Sequence, residues 1–143
     1  MNLYQIKNLT FAYPDIASER DDRFLAPSLQ GIHLTIEQGS FVVVAGGSGS
    51  GKTTLLRQLK SCLAPRGKRS GSIEFLGKRL DEIERNVQTE KIGFVLQDVD
   101  AQLVTDKVWH ELAFGLESLS YENAFIRKRV SEMSSFFGPV SYT

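Results

Sequence analysis

Apolar and polar side chains alternate over the first part of the chain, and this pattern predicts extended strands. Apolar residues recur among polar neighbours over residues 3–13, and residues 31–37 alternate as a half-buried strand does. Residues 16–27 between them have no apolar period and predict an exposed loop. The chain is therefore predicted to begin with an antiparallel β layer.

Two short apolar runs farther along have the length and β-branched content of fully buried strands. They cover residues 41–45 (F-V-V-V-A) and residues 92–96 (I-G-F-V-L). Between them, residues 52–63 predict a helix, residues 72–77 a short strand, and residues 80–88 a polar, partly helical excursion. We therefore expect a three-layer α/β core that contains a parallel sheet.

The apolar period becomes helical in the last third of the chain. Two stripes repeat at helical spacing, and Gly138-Pro139 ends the second. The first stripe comprises Val104, Val108, Leu112, Leu116 and Leu119, and the second Ile126, Val130, Met133 and Phe137. Both are predicted to be core faces. The pattern thus divides the chain into a β-rich part, residues 1–102, and a helical part, residues 103–143.

Composition narrows the class of protein. The 143 residues are 41% hydrophobic and 24% charged, as in an ordinary globular domain. Lysine plus arginine equals aspartate plus glutamate at 17 each, so no nucleic-acid partner is predicted. The single cysteine, Cys62, excludes an internal disulfide and is predicted to be buried on the helix. No apolar run approaches the roughly 20 residues that cross a bilayer, and no signal peptide is evident, which predicts a cytoplasmic protein.

A glycine-rich stretch between the first buried run and the first helix matches the phosphate-binding pattern G-x-x-x-x-G-K-[ST]. Glycine lets backbone N–H groups turn inward as an anion-binding nest, and the following helix adds unpaired donors. Lys52 would meet the β- and γ-phosphates, and the Thr53 hydroxyl would bind Mg²⁺. The predicted nucleotide-binding residues here are Gly46, Gly47, Ser48, Gly49, Ser50, Gly51, Lys52, Thr53 and Thr54.

Three segments together resemble the ATP-binding subunits of ATP-binding cassette (ABC) transporters: L-T-F-A-Y-P, G-G-S-G-S-G-K-T-T-L-L and K-I-G-F-V-L-Q-D. The run Q-L-V-T-D-K-V-W-H-E-L-A-F-G-L-E is most similar to the energy-coupling-factor and cobalt-type importers. The resemblance implies an α/β fold, in which a P-loop NTPase core joins an N-terminal antiparallel β layer and the start of a helical subdomain. It also implies ATP and Mg²⁺ as ligands.

The same resemblance implies partners and residue roles. A transmembrane transporter subunit would bind the region after Gln97, a second ATP-binding subunit would complete a homo- or heterodimer, and the protein would lie on the inner face of the membrane. Tyr13 would stack on adenine, a contact worth about 1 to 3 kcal/mol by analogy with bases on aromatic side chains. Lys52 and Gln97 would be catalytic, and Thr53 and Gln97 would bind the metal.

Three catalytic motifs of that family do not occur in these residues: the L-S-G-G-Q-like signature, an apolar strand ending in Asp-Glu, and a switch histidine. We therefore expect this chain alone to bind ATP and to hydrolyse it negligibly. Two alternatives stay open. One is a small P-loop kinase in which Asp98, after the run 92–96, holds Mg²⁺. The other is a non-catalytic module whose surface for a partner depends on bound nucleotide.

Overall fold

The computed structural model describes residues 1–17 and 23–138, which belong to two compact units, Met1–Lys91 and Ile92–Thr143. The first unit contains a four-stranded antiparallel sheet in the order β2-β1-β3-β4. The predicted antiparallel β layer is thus confirmed. The elements of this unit are β1 (Asn2–Ala12), β2 (Leu29–Glu37), α1 (Lys52–Gln58), β3 (Lys68–Phe75), β4 (Lys78–Arg79) and α2 (Arg85–Lys91), with 3₁₀ turns at Ser61–Leu63 and Leu80–Glu82.

The inner strand β1 contains a bulge that keeps its buried side chains on one face of the sheet. Its buried apolar side chains include Tyr4, Ile6, Leu9 and Phe11. The step from even to odd positions occurs at Asn8, whose φ of 51° lies in the left-handed region, and the register with both neighbouring strands shifts there. On β3, a Cβ at Gly71 would lie 2.3 Å from the Asn8 carbonyl oxygen, so only glycine fits opposite this bulge.

A buried amide joins α2 to the two 3₁₀ turns of the first unit. The Gln88 side chain is 2% exposed, and its Oε1 accepts hydrogen bonds from the backbone N–H and the hydroxyl of Ser61. Its Nε2 donates to the carbonyls of Leu80 and Ile83. The amide therefore has two acceptor and two donor bonds, which offsets the cost of burying a polar group.

Both apolar runs that were predicted to be buried strands lack strand structure. Residues 41–45 form no strand, with Phe41 92% and Val43 72% exposed, and residues 92–96 form none although Ile92 is buried. The prediction of these strands was wrong because an apolar run becomes a strand only where a neighbour supplies the hydrogen-bond ladder. Over residues 1–17 and 23–138, all the strand pairing is antiparallel, so the expected parallel sheet is not formed there.

The first helix is shorter than predicted. It ends at Gln58 rather than at residue 63, and Cys62 lies in the following 3₁₀ turn, where it is exposed. The prediction of a buried Cys62 was wrong because the chain leaves the helical path before that residue. The strand predicted over residues 72–77 begins earlier than expected, because β3 covers Lys68–Phe75.

The second unit is helical over most of its described length. It contains a 3₁₀ turn at Asp100–Gln102, then α3 (Val108–Ser118) and α4 (Asn123–Phe137). Ala113, Ile126 and Val130 form its buried core, against which Trp109, Leu112 and Leu116 pack. The predicted stripes are thus confirmed at their centres but not at their ends. Val104 and Leu119 lie outside α3, while Met133 and Phe137 are 44% and 65% exposed.

Three further expectations concern the end of the last helix, the loop predicted over residues 16–27, and helices that could cross a membrane. Gly138 caps α4 with a φ of 94°, whereas Pro139 and residues 18–22 of the predicted loop lie outside the described residues. Within residues 1–17 and 23–138, no helix is both long enough and apolar enough to cross a membrane.

Candidate functional site

The glycine-rich stretch from Gly46 to Thr53, here called the phosphate loop, makes a tight turn and continues into the first residues of α1. The Ser50 N–H donates to the Gly47 carbonyl at 3.3 Å, and the Leu55 N–H donates to the Gly51 carbonyl at 2.8 Å to open the helix. Gly51 has a φ of 88°, and a Cβ there would lie 2.5 Å from the Ser28 carbonyl oxygen. This position therefore requires glycine for its backbone conformation and for its space.

The Lys52 side chain folds back over the earlier residues of the phosphate loop. Its Nζ donates to the carbonyl oxygens of Gly46 and Gly47 at 2.8 and 2.6 Å and to the Ser50 Oγ at 3.3 Å. These acceptors match the three donors of an ammonium group. The loop thus holds one positive charge against its own backbone carbonyls.

Tyr13 follows β1 and reaches the first turn of α1. Its hydroxyl lies 3.0 Å from the Thr54 Oγ1, and its ring meets the Phe11 ring edge-on at a centroid distance of 4.9 Å. The Leu25 N–H donates to the Tyr13 carbonyl at 2.9 Å, so the backbone is held as well. Thr54, predicted to contact nucleotide, is buried with its hydroxyl on Tyr13, while Thr53 is exposed.

One cavity of about 290 Å³ brings most of the predicted ligand-binding residues together. Its lining comprises Tyr13, Ser28, Gly49, Ser50, Gly51, Lys52, Thr53 and Thr54. Gly46 and Gly47 contact the Lys52 ammonium instead, and Ser48 is exposed in the turn. Sequence reasoning missed Ser28, because nothing in the pattern before β2 indicates that its carbonyl packs against the Gly51 backbone.

The residues of this cavity fit a magnesium nucleotide. Left-handed glycines form the loop, a lysine supplies the charge, and the exposed Thr53 hydroxyl is an oxygen ligand of the kind that Mg²⁺ accepts. No three His, Cys, Asp or Glu side chains within residues 1–17 and 23–138 are grouped so that they could hold a metal ion. A metal at the phosphate loop would therefore be bound by hydroxyl or amide oxygens of the protein, such as the Thr53 hydroxyl, and by oxygens of the ligand.

Gln97 and Asp98 lie in the second unit, in the bend before the 3₁₀ turn Asp100–Gln102. Gln97 is exposed, whereas the Asp98 carboxylate accepts a hydrogen bond from the Ala101 N–H at 3.2 Å. Gln102 folds back over the same bend. Its Oε1 accepts from the Leu96 N–H at 2.9 Å, and its Nε2 donates to the Phe94 carbonyl at 3.0 Å.

The segment after this bend is held by a carboxylate on α3. The Glu111 Oε2 accepts from the backbone N–H groups of Thr105 and Val104 at 2.9 and 3.1 Å and from the Thr105 hydroxyl at 3.0 Å. These bonds, that from the Thr105 N–H first, lower the pKa of Glu111 below its ordinary value. Four apolar side chains of this region are about half exposed or more: Val99, Leu103, Val104 and Val108.

Comparisons with known proteins point to one family. The sequence model of the ABC transporter family matches residues 29–137. A Bacillus anthracis protein named as an ABC transporter ATP-binding protein is 42% identical over 134 residues, which are 94% of this chain and 23% of that protein. An energy-coupling factor transporter ATP-binding protein of Syntrophomonas wolfei is 33% identical over 141 residues, which are 98% of this chain and 48% of that protein. The chain therefore spans less than half the length of either relative.

A solved structure shares the fold. It is a dimeric ATP-binding cassette in a post-hydrolysis state with bound ADP and Pi, and it matches with a TM-score of 0.68 over 90% of this chain and 54% of that one. At 23% identity this likeness shows the fold alone. It confirms the predicted fold class, a P-loop NTPase core with an antiparallel β layer and the start of a helical subdomain.

Proposed function

The chain belongs to the ABC transporter family, and from that premise we propose that its parent protein powers a membrane transporter by binding and hydrolysing ATP. The observation that carries the proposal is the phosphate loop, where two backbone carbonyls hold the Lys52 ammonium beside an open cavity. On binding, phosphate oxygens would replace these acceptors of the Lys52 ammonium, and backbone N–H groups of the loop would add further donors.

Each residue of the site has a proposed role. Lys52 binds the β- and γ-phosphates, and the backbone of residues 46–51 donates to the phosphate oxygens. Tyr13 stacks on adenine. The Thr53 hydroxyl and the Gln97 amide oxygen would be the ligands for Mg²⁺ from this chain, and the ion would supply positive charge to offset that of the phosphates.

We further propose that the segment after Gln97 is the contact for a transmembrane subunit. The side chains of Leu103, Val104 and Val108 are 59%, 61% and 49% exposed, a concentration of apolar surface that favours a protein partner. The proposed assembly also contains a second ATP-binding subunit and lies on the inner face of the membrane through its partners. The dimeric state of the structurally similar cassette supports the second subunit.

These 143 residues alone are proposed to bind Mg·ATP without efficient turnover, because the signature, the Asp-Glu strand end and the switch histidine are not among them. The small-kinase alternative has little support, since residues 92–96 form no strand and the Asp98 carboxylate caps a turn. The interaction-module alternative differs from the proposal only in the parent protein's activity.

The test is calorimetric titration of the purified chain with Mg·ATP. Lys52→Ala should weaken binding about 10- to 150-fold, the value of one hydrogen bond to a charged group. Lys128→Ala, which removes an exposed lysine from α4, is the matched control and should bind as the original chain does. Equal affinity of the original chain and Lys52→Ala would refute nucleotide binding at the phosphate loop. Rapid, Lys52-dependent release of phosphate would instead refute only the claim of negligible turnover.

A further inference from the structure

Residues 92–96, which lead to Gln97, form no regular secondary structure and pair with no strand in the described residues. Instead, the side-chain amide of Gln102 makes hydrogen bonds of the kind that a neighbouring strand would make. It accepts from the Leu96 N–H at 2.9 Å and donates to the Phe94 carbonyl at 3.0 Å. A primary amide carries the same donor and acceptor as a peptide group, so a single side chain satisfies both backbone groups.

The other end of this bend is closed by shorter-range bonds. The Gln102 N–H donates to the Val99 carbonyl at 3.0 Å, and the Ala101 N–H donates to the Asp98 carboxylate at 3.2 Å. Gln97 therefore lies within a closed backbone loop, with its own side chain exposed. The loop restricts the direction in which the Gln97 side chain leaves the backbone but leaves the amide group accessible.

We infer that Gln102 is a positioning residue for Gln97. By holding Phe94 and Leu96, its amide fixes the course of the chain into Gln97 and so presents that amide in one direction. The inference rests on the proposed role of Gln97 as a magnesium ligand in the Mg·ATP site. It adds a residue that never touches the nucleotide and acts on it through Gln97.

The chemistry of the contact requires glutamine. Leucine at position 102 has a similar volume and makes neither hydrogen bond, whereas glutamate keeps an acceptor for the Leu96 N–H but loses the donor to the Phe94 carbonyl. Asparagine is one methylene shorter and does not span the same distance. The effects should therefore be largest for Gln102→Leu and smaller for Gln102→Glu.

The first test measures the contact itself. Amide hydrogen exchange of Leu96 in the full chain should become about 2- to 12-fold faster in Gln102→Leu, the range expected for one net hydrogen bond. Gln97→Ala is the matched control, because it removes a glutamine from the same bend that makes no side-chain hydrogen bond within the described residues. Unchanged Leu96 exchange in Gln102→Leu would overturn the inference.

The second test asks whether Gln102 acts through Gln97. ATP affinity is measured with and without Mg²⁺ in the original chain, both single variants and the double variant. Gln102→Leu should reduce the Mg²⁺-dependent gain in affinity, leave Mg²⁺-free affinity unchanged, and have no further effect when Gln97 is already alanine. Additive losses, or a loss that does not depend on Mg²⁺, would overturn the inference.

Failure of the proposed function can be distinguished from failure of the inference about Gln102. If the original chain and Lys52→Ala bind ATP equally, the proposed function fails, and exchange at Leu96 still decides whether Gln102 holds the bend. If ATP binds and Gln97→Ala lowers the Mg²⁺-dependent gain but Gln102→Leu does not, the inference about Gln102 alone fails.

Discussion

The Tyr13 hydroxyl and the Thr54 Oγ1 lie 3.0 Å apart, although 41 residues separate them in the chain. The bond joins the residue after β1 to the first turn of α1. Thr54 is only 8% exposed, so its hydroxyl has little access to water if this partner is lost. The proposed adenine-binding and phosphate-binding parts of the site are therefore linked by one hydrogen bond.

We expect this bond to appear as an energetic coupling between the two residues. Tyr13→Phe and Thr54→Val should each lower the free energy of unfolding by about 0.5 to 1.5 kcal/mol, because each removes one partner of the bond. The double variant should lose little more than the worse single variant. Urea unfolding of all four chains, followed by circular dichroism, measures the coupling. Additive losses would show that the two hydroxyls are satisfied independently.

The Tyr13 ring has a separate expected role. If the ring stacks on adenine, Tyr13→Ala should weaken ATP binding about 5- to 150-fold, equivalent to 1 to 3 kcal/mol. Inorganic triphosphate lacks the base and should bind both chains with similar affinity. Tyr13→Phe keeps the ring and is the control that separates stacking from the bond to Thr54. Equal losses for ATP and triphosphate in Tyr13→Ala would exclude the stacking role.

Gly51 should tolerate substitution less well than Gly39, a left-handed glycine with open surroundings. At Gly51 an added Cβ would lie 2.5 Å from the Ser28 carbonyl oxygen, whereas at Gly39, with a similar φ of 79°, it would meet no atom within 4 Å. Gly39→Ala should cost only the left-handed strain, about 1 to 2 kcal/mol, and leave ATP affinity unchanged. Gly51→Ala should cost more and also weaken ATP binding. Thermal unfolding and calorimetry of both variants check this, and equal costs would contradict the clash.

Local patterns allowed much of this fold to be predicted. The alternation over residues 3–13 and 31–37 corresponds to β1 and β2, and the helical spacing of Leu112, Leu116, Ile126 and Val130 corresponds to the core faces of α3 and α4. The phosphate loop was also predictable, because G-x-x-x-x-G-K-[ST] specifies a local conformation. In each case, the determinants lie within a few residues of one another in the sequence.

The features that could not be predicted are not determined by the local sequence pattern. Residues 41–45 have the composition of a buried strand, but composition does not supply the partner that a strand requires. The hydrogen bond between Tyr13 and Thr54 joins residues that are far apart in sequence, and no pattern around either residue predicts it. Gln102 is close to Leu96 in sequence, yet a glutamine in a polar turn carries no signal of the backbone groups that its side chain will satisfy.

Tyr4 should make the first unit sensitive to alkaline pH. Its hydroxyl donates to the Leu59 carbonyl at 3.0 Å, and burial raises its pKa from 10.0 to about 12. Because the pKa is higher in the folded state, the stability that the neutral Tyr4 hydroxyl contributes is complete below pH 10 and is lost as the pH rises towards 12.

The expected result is a difference between variants. Tyr4→Phe keeps the ring contact with Phe75, whose centroid lies 4.9 Å away, and should cost about 0.5 to 1.5 kcal/mol at pH 8 for the lost hydrogen bond. The difference in urea midpoint between the original chain and Tyr4→Phe should shrink between pH 10 and 12. Tyr121→Phe, at an exposed tyrosine of the second unit, is the control and should not alter the alkaline response. A difference that stays constant with pH would contradict the role of Tyr4 ionisation.

Glu111 should give the opposite, acidic dependence in the second unit. Hydrogen bonds, first that from the Thr105 N–H, lower its pKa below 4.5. Because the folded-state pKa is depressed, the stability that these hydrogen bonds contribute is present above the pKa of the unfolded state and is lost as the pH falls through the pKa of the folded state.

The amide chemical shifts of Thr105 and Val104 should therefore move together below about pH 4.5, as protonation weakens an acceptor that both share. Glu111→Gln should abolish this movement, since glutamine does not ionise, while Glu117→Gln on the same helix should leave it intact. Persistence of the titration in Glu111→Gln would assign it to another carboxylate, and the bonds at Oε2 would then not control the conformation of the segment that follows Gln97.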